Sequence, residues 1–274
     1  MKQQKLSSIL LTTLTYILAL AMFFPILWML LTSFKPEQLA LAMPPRLFFA
    51  PTLENYQIAL LESPYLEFLW NTVIITLLAT LLALVLGLPT AYSMAFYPTK
   101  RTNSAMLWIM STRMLPPAGV IVPLYIIFKD LQWLDTHLGM IVIYAGMNFP
   151  LVVWMIRSFM LEIPFGIMEA ARIDGANLLQ EFTHVLLPLL IPGLAATVLL
   201  CFIFTWNEFF LAVNLTTRSA SPLSVYISSF KAAQGDLFIA KMSAAATATV
   251  LPVMLAGWAA QRQLVAGLTM GAVK

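Results

Sequence analysis

Six long apolar segments constrain this chain more strongly than any other feature of its sequence. They cover roughly residues 9–31, 72–96, 105–128, 138–160, 185–211 and 242–261. Each is close to the ~20 residues that a helix needs in order to cross ~30 Å of hydrocarbon. The sequence lacks strand-like alternation with closely spaced turns, which argues against a barrel. We therefore predict an all-α integral membrane protein with six transmembrane helices.

The composition supports the same class and argues against a soluble fold. Of the 274 residues, 61% are hydrophobic and 10% are charged, whereas a soluble domain is about 45–50% apolar and about 25% charged. The net charge of +3 is spread over helix ends without a basic block, so we expect no nucleic-acid partner. His137 and His184 lack the neighbouring ligands of a metal site, so we expect none. No Gly/Ser linker divides the chain, which predicts one transmembrane domain over residues 1–274.

The first apolar segment also has some features of a secretory signal peptide. Basic residues precede it, and Ala40-Leu41-Ala42 resembles a cleavage site. However, the segment is longer than the ~7–15 apolar residues of a typical signal peptide. Lys35 and Glu37 also separate it from the Ala-Leu-Ala triplet. We expect it to be retained as a helix.

The basic residues indicate an orientation in the membrane. An even number of spans places both termini on one side, and the cytoplasmic side receives more Lys and Arg residues in most membrane proteins. With the amino terminus inside, the cytoplasmic residues are Lys2, Lys5, Lys100, Arg101, Arg157, Arg172, Arg262 and Lys274, and the outer residues are Lys35, Arg46, Lys129, Arg218 and Lys231. This modest bias predicts that both termini are cytoplasmic.

The most polar stretch of the chain is the predicted cytoplasmic loop at about 161–184. Pro164 can begin a short helix there, and Gly175 can end it because glycine tolerates left-handed backbone. Asn177 can then cap a second short helix before the fifth span. A helix-turn-helix of this size suits a groove on another protein. Packing against helix ends of its own chain is the alternative, and periodicity does not separate the two.

Several spaced motifs resemble those of a known family. Glu169-Ala170-Ala171, followed at the family's spacing by Gly175 and by Val185-x-Leu187-Pro188, is similar to the EAA motif of bacterial ABC-importer permeases. Further similarities lie at Trp70-Asn71-Thr72, Pro116-Pro117, Pro123-Leu124-Tyr125, Trp206-Asn207-Glu208-Phe209 and in the tail 265–274, which resembles the carboxyl end of maltose-type carbohydrate permeases. The resemblance is to the shorter, six-span permease of a pair. The run from Ser111 to Pro117 resembles permeases for sugar alcohols, although disaccharide and modified-sugar importers are similar.

This resemblance implies a set of partners and two surfaces that bind them. The partners would be a second homologous permease, two ATP-binding subunits and an external solute-binding protein that delivers a carbohydrate, all at the bacterial inner membrane. The implied coupling helix, from about Gly166 to Gly175, would dock in an ATPase cleft. Its coupling residues would be Glu169, Ala170, Ala171, Asp174 and Gly175, and the tail residues Gly271, Ala272, Val273 and Lys274 would insert between the ATPases.

The energy source is expected to lie in another chain. The sequence has no GxxxxGK[ST] phosphate loop. We therefore expect this chain to be no enzyme and to hold no cofactor. ATP and Mg are expected in the partner ATPase subunits.

Four polar residues in or near the spans are candidates for the translocation path. Arg113 lies within the third predicted span, where a buried arginine costs at least ~2.5–3.5 kcal/mol. It either lines the path beside a helix break at Pro116, or it snorkels or pairs with the partner permease. Asn71 and Asn148 either reach a sugar hydroxyl or join helices by hydrogen bonds. Glu208 is expected to shape the outer gate or to contact the binding protein, although its neighbour Trp206 can be explained by the aromatic belt alone.

Two other function classes compete with an ATP-driven importer. An ion-coupled secondary transporter usually carries Asp or Glu relays inside its spans, whereas the acidic residues here fall in loops or at span ends. An intramembrane enzyme needs a nucleophile–base pair or metal ligands within helices. Neither constellation is visible in the sequence.

Overall fold

A computed structural model describes the backbone of residues 2–230 and 238–270, and the side chains of residues 9–230 and 238–261. Regular structure in these ranges is entirely helical. The helices are α1 (Lys2–Ser33), α2 (Glu37–Ala40), α3 (Glu54–Tyr56), α4 (Tyr65–Phe96), α5 (Thr102–Met114), α6 (Pro117–Asp130), α7 (His137–Glu162), α8 (Phe165–Ile173), α9 (Leu178–Gln180), α10 (Leu187–Trp206), α11 (Phe210–Leu215), α12 (Leu223–Ser228) and α13 (Ile239–Met270), with π-helical turns at Gln57–Leu61 and Glu181–Leu186.

Five helical stretches of the described chain are long and apolar enough to cross a membrane. They are Ile9–Ser33 in α1, Tyr65–Phe96 in α4, His137–Glu162 in α7, Leu178–Trp206 through α9 and α10, and Ile239–Gln261 in α13. α5 and α6 together meet the same test, and they give a sixth span if the bent pair crosses as one. Each of the six predicted segments overlaps one of these stretches, although the fifth, 185–211, runs past the end of α10 at Trp206 into α11. The predicted all-helical membrane fold is confirmed. The predicted tail contact at 271–274 lies outside the described residues.

The predicted third span, 105–128, is not one straight helix. α5 ends at Met114, α6 begins at Pro117, and the two helices are bent by 90°. The carbonyls of Thr112 and Arg113 would need N–H donors at Pro116 and Pro117, which proline lacks. The backbone of Leu115 and Pro116 is accordingly extended, with ψ angles of 124° and 126°. The helix break that the Pro-Pro pair predicts is therefore present.

Tertiary contacts divide the chain into two compact units, Met1–Leu66 with Tyr226–Leu251 and Glu67–Val225 with Pro252–Lys274. The first unit is fastened by buried polar contacts just after α1. The Asn55 amide donates to the backbone carbonyls of Ser33 and Lys35 at 2.9 and 2.7 Å. The Lys35 ammonium lies 4.3 Å from the centre of the Trp28 ring, which compensates in part for the burial of its charge.

The second unit has two buried apolar clusters. The first joins α4, α7, α8 and α10 through Ala83, Ala91, Val152, Ile156, Met160, Met168, Leu186, Leu190, Ala196 and Cys201. The second joins α4, α6, α7 and α11 through Ile75, Ala79, Phe128, Met140, Tyr144, Leu211, Ala212 and Leu215. Met168 is fully buried, so the short helix α8 is anchored in the same core as the long helices. This contact positions the polar loop that the sequence singles out.

Close packing between α7 and α10 predicts that Gly193→Val destabilises the protein. A Cβ added at Gly193 would overlap the ring of Phe159, whereas one added at Gly257 would meet nothing within 4 Å. Overpacking of this kind costs about 1–3 kcal/mol. Thermal unfolding of the purified protein in detergent should therefore show a lower Tm for Gly193→Val than for the matched control Gly257→Val. Equal Tm values for the two variants would contradict the close approach of α7 and α10.

Candidate functional site

The polar loop forms a helical hairpin whose turn is set by glycine. Asp174 is the C-cap of α8, with φ −75° and ψ 1°, and Gly175 follows with φ +87°. The Gly175 N–H donates to the Arg172 carbonyl at 3.1 Å, and the Ala176 N–H donates to the Ala171 carbonyl at 3.0 Å. This pair of bonds is the Schellman motif, which satisfies the last carbonyls of a helix. The predicted role of Gly175 in the turn is confirmed.

A capping box begins the second arm of the hairpin. The Asn177 side chain accepts from the Gln180 N–H at 2.9 Å, and the Gln180 side chain accepts from the Asn177 N–H at 2.9 Å. Both bonds satisfy N–H groups that the first helical turn leaves without partners. The predicted cap at Asn177 is therefore present.

The outer surface of the hairpin carries all the residues predicted to couple to an ATPase. Glu169, Ala170, Asp174 and Gly175 are exposed and Ala171 is half-buried. Exposed apolar side chains lie in the same hairpin, with Ile173 at 84%, Leu178 at 63% and Leu179 at 72% exposure. The inner side of α8 packs in its own chain through Met168, while the described residues leave this outer surface uncovered. Such an apolar surface with polar neighbours is typical of a protein-binding site.

An ion pair joins the two arms of the hairpin. The Arg172 Nε donates to Glu181 Oε2 at 2.6 Å, and its Nη2 donates to Oε1 at 3.0 Å. The Glu181 side chain is 1% exposed and that of Arg172 is 36% exposed. The bond to the Glu181 carboxylate raises the pKa of Arg172 above its usual value, so this side chain stays charged.

The same ion pair fastens the hairpin to the end of α4. The Tyr92 hydroxyl donates to Glu181 Oε1 at 2.8 Å, and Arg172 donates to the Tyr97 hydroxyl at 2.8 Å. A buried carboxylate with three donors is strongly held because each bond to an ionised group is roughly twice as strong as a neutral one. Sequence reasoning missed this network, since the Gly175 turn brings together only Arg172 and Glu181, and Tyr92 and Tyr97 reach them through the packing of α4.

A cavity of about 450 Å³ lies at the break between α5 and α6. Its lining side chains come from α5, α6, α7, α10 and α11, and most are apolar: Thr112, Arg113, Leu115, Pro117, Val120, Leu124, Ile143, Gly146, Met147, Pro150, Phe204, Glu208 and Leu211. Its volume is within the range of small-molecule sites, about 300–1,000 Å³. Two of the four predicted path residues, Arg113 and Glu208, therefore share one cavity.

Arg113 and Glu208 have different surroundings in this cavity. The Arg113 guanidinium carbon is 4.6 Å from the centre of the Phe204 ring, and its Nη1 is buried without a hydrogen-bond partner. The Glu208 carboxylate accepts from the Tyr144 hydroxyl at 2.6 Å and from the N–H groups of Leu211 and Ala212 at 2.8 and 3.1 Å. The carboxylate thus has hydrogen-bond partners on both oxygens, whereas Nη1 of the guanidinium has none among the described residues.

The other two predicted path residues join helices and are not among the residues that line this cavity. The Asn71 amide donates to the carbonyls of Ser219 and Ser221, both at 3.1 Å, and its oxygen is 2.8 Å from His137 Nε2. Asn148 is 0% exposed and donates to the Thr205 hydroxyl at 2.7 Å. The geometry favours the helix-joining alternative for both residues.

A carboxylate outside the long helices fixes two loops of the second unit together. The Asp135 oxygens accept from the backbone N–H groups of Thr217, Arg218, Ser219 and Ala220 at 3.0–3.2 Å, and from the Thr217 hydroxyl at 2.7 Å. Burial alone would raise the pKa of Asp135, but these hydrogen bonds outweigh it and hold the pKa well below its usual value.

Comparisons with known proteins agree on one family. The family model described as "Binding-protein-dependent transport system inner membrane component" matches residues 83–269. A probable ABC transporter permease protein of Sinorhizobium fredii is 34% identical over 94% of this chain and 92% of its own length. The trehalose/maltose transport system permease protein MalG of Thermococcus litoralis is 31% identical over 100% of this chain and 99% of its own length.

A solved structure shows the same fold. It is a chain of a bacterial ABC transporter involved in the import of the acidic polysaccharide alginate. Its TM-score is 0.78 at 23% sequence identity, and the match covers 96% of this chain and 98% of that chain. Both the hairpin and the cavity lie within the segment that the family model matches.

Breaking the ion pair should destabilise the hairpin. Arg172→Gln leaves the buried Glu181 carboxylate without its cation, which should cost about 1–3 kcal/mol. The double variant Arg172→Gln/Glu181→Gln should recover part of this loss because no unpaired charge remains buried. Limited proteolysis of the hairpin and thermal unfolding measure both effects, with Glu162→Gln as a control that removes an exposed carboxylate. Additive losses in the double variant would contradict the coupling of the two side chains.

The Asp135 contacts predict a pH-dependent loss of stability. Because the folded-state pKa is depressed, the stabilisation is present above the ordinary pKa of about 3.9 and is lost as the pH falls below it toward the folded-state pKa. Asp135→Asn should therefore lower Tm at about pH 7, at a cost of about 1–3 kcal/mol, and its difference from the wild type should shrink below about pH 4. Asp130→Asn, which removes an exposed carboxylate at the end of α6, is the control. A difference that stays constant with pH would refute this account of Asp135.

Proposed function

Because the chain belongs to the family of inner-membrane components of binding-protein-dependent transport systems, we propose that it is the permease subunit of an ATP-driven importer for a sugar, a sugar alcohol or a related carbohydrate. The chain is a multi-pass membrane protein of that family. The relative from Thermococcus litoralis, which matches the chain over its whole length, is named for trehalose and maltose transport. That match supports the carbohydrate class and favours an importer permease over the ion-coupled and enzymatic alternatives.

The coupling mechanism is supported by the hairpin, which is anchored on its inner side and left uncovered on its outer side by the described part of the chain. Met168 is buried in the core, while Glu169 and Ala170 are exposed. The small alanine side chains permit a close approach of another backbone, and Glu169 supplies a charge for orientation. The hairpin is the docking element for an ATP-binding subunit, with Asp174 and Gly175 setting its turn and Ala171 lying at its edge.

The remaining partners follow from this mode of action. A second homologous permease completes the path, two ATP-binding subunits hold ATP and Mg, and an external solute-binding protein delivers the carbohydrate. The chain itself performs no hydrolysis and holds no cofactor. The hairpin must meet the ATPases, so it faces the cytoplasm, and with six spans both termini do so as well. The tail residues 271–274 reach the same ATPase interface.

ATP-driven closure of the ATPase subunits moves the spans between inward-open and outward-open states. The ATPase subunits displace the hairpin, and the bonds that Glu181 and Arg172 make with Tyr92 and Tyr97 transmit this displacement to α4. The apolar cluster around Met168 transmits it to α7 and α10. The cavity at the α5–α6 break is this subunit's part of the translocation path.

Replacing Gly175 should uncouple transport from ATP hydrolysis. Gly175→Val forces a β-branched residue into left-handed backbone, which costs about 1–3 kcal/mol and reshapes the turn. Membrane insertion should persist, while uptake and substrate-stimulated ATP hydrolysis in proteoliposomes should be lost.

Gly257 provides the matched control for this experiment. It lies in α13, outside the hairpin, and an added Cβ would meet nothing within 4 Å at either glycine, but of the two only Gly175 has a positive φ. Gly257→Val should therefore keep both activities. Substrate-stimulated hydrolysis at the wild-type rate in Gly175→Val would overturn the role of the hairpin.

A further inference from the structure

The cavity at the α5–α6 break contains a guanidinium with no ion-pair partner within 4.0 Å among the described residues. Arg113 Nη1 is buried and has no hydrogen-bond partner among them. Among the side chains of residues 9–230 and 238–261, the ion pair within 4.0 Å is that of Arg172 with Glu181, in the hairpin. A charged group in an apolar, membrane-embedded site is costly unless an opposite charge meets it.

Glu208 lines the same cavity but forms no ion pair with Arg113 within 4.0 Å. Its two oxygens accept hydrogen bonds from the Tyr144 hydroxyl and from the N–H groups of Leu211 and Ala212. These bonds hold the carboxylate at the start of α11, where the helix N–H groups stabilise negative charge. The guanidinium is held instead against the face of Phe204 at 4.6 Å. The Phe204 ring thus covers one face of the Arg113 guanidinium, and the N–H groups at the guanidinium edge are left to bind a ligand.

The rest of the cavity suits a polar molecule with hydroxyl groups. Pro116 and Pro117 cannot donate to the carbonyls of Thr112 and Arg113, so these two acceptors are released from the helical ladder. Irregular backbone at membrane depth is tolerated where it lines a cavity. The remaining wall is mainly aliphatic, with side chains such as Val120, Ile143 and Met147. A low-dielectric wall strengthens the attraction between Arg113 and an anion.

We propose that Arg113 binds an anionic group of the transported saccharide, such as the carboxylate of a uronic acid or a sulfonate, while hydroxyls of the same sugar meet the carbonyls at the helix break. The proposal rests on the function proposed above and narrows its substrate class to acidic saccharides. The planar guanidinium binds a carboxylate through two parallel hydrogen bonds. Arg113 therefore selects for charge, and Phe204 fixes the guanidinium plane.

The test uses the whole transporter, with its partner permease and ATPase subunits, in lipid nanodiscs. The probes are cellobiouronic acid and cellobiose, which have the same size and differ in a carboxylate against a hydroxymethyl group. Saturation-transfer NMR without the external binding protein reports binding to the membrane complex alone. The wild type should bind the acid at least about 10-fold more tightly than the neutral sugar, as expected of hydrogen bonds to a charged group.

Variants assign this preference to Arg113. Arg113→Gln should abolish it, Arg113→Lys should keep part of it because the charge remains, and the control Lys129→Gln should leave it unchanged because Lys129 is exposed at the end of α6. The proposal fails if the wild type binds both probes equally or neither, or if Arg113→Gln keeps the preference. It also fails if neither Arg113 variant assembles, since Arg113 would then pair with the partner permease.

Failure of this proposal is distinguishable from failure of the proposed function. ATP-dependent uptake of a neutral saccharide, delivered by the binding protein and unaffected by Arg113→Gln, would keep the importer and refute the acidic substrate. Absence of ATP-dependent uptake for both acidic and neutral saccharides would refute the importer itself.

Discussion

The bidentate ion pair between Arg172 and Glu181 is the contact on which the rest of this structure depends. It closes a hairpin of few residues, and through Tyr92 and Tyr97 it fixes that hairpin to the end of a long membrane helix. A short helical hairpin has too little apolar surface to keep its shape alone. The buried carboxylate, with Met168 in the core below it, supplies the missing rigidity. A rigid hairpin can transmit a displacement to the spans, whereas a loose one would absorb it.

Within the second unit, the hairpin ion pair and the cavity proposed as the solute path lie in different places and arise in different ways. The hairpin is built from strong local signals: a glycine turn, a capping box and an ion pair. The cavity instead lies at an interruption of the helical hydrogen bonds, because Pro116 and Pro117 lack the N–H groups that would donate to the carbonyls of Thr112 and Arg113. The helices α7 and α10 belong both to the cluster under the hairpin and to the cavity wall. A movement at one end therefore has a continuous path of packed side chains to the other.

Local chemistry could be predicted from the sequence, whereas contacts between distant segments could not. Long apolar runs predict the membrane helices, Gly175 predicts the turn, Asn177 the cap and Pro116-Pro117 the break. The bend of 90° at that break needs the structure, because proline removes hydrogen bonds without fixing the direction that follows. The roles of Asn71 and Asn148 could not be predicted either, because a side-chain amide in a span can hydrogen-bond a ligand or a neighbouring helix equally well. The partners of Glu181 and Asp135 lie far apart in the chain, and only the fold brings them together.

The proposed mechanism requires the hairpin and the end of α4 to move as one body when the ATPase subunits close. Pulsed EPR distances between spin labels at Ser93→Cys in α4 and Ile173→Cys in α8 test it directly, since both positions are exposed and the native Cys201 is buried. In the assembled transporter this distance should be the same without nucleotide and with ATP trapped, and Arg172→Gln should broaden it. A distance that shifts between the two states in the wild type would contradict the rigid connection of the hairpin to the end of α4.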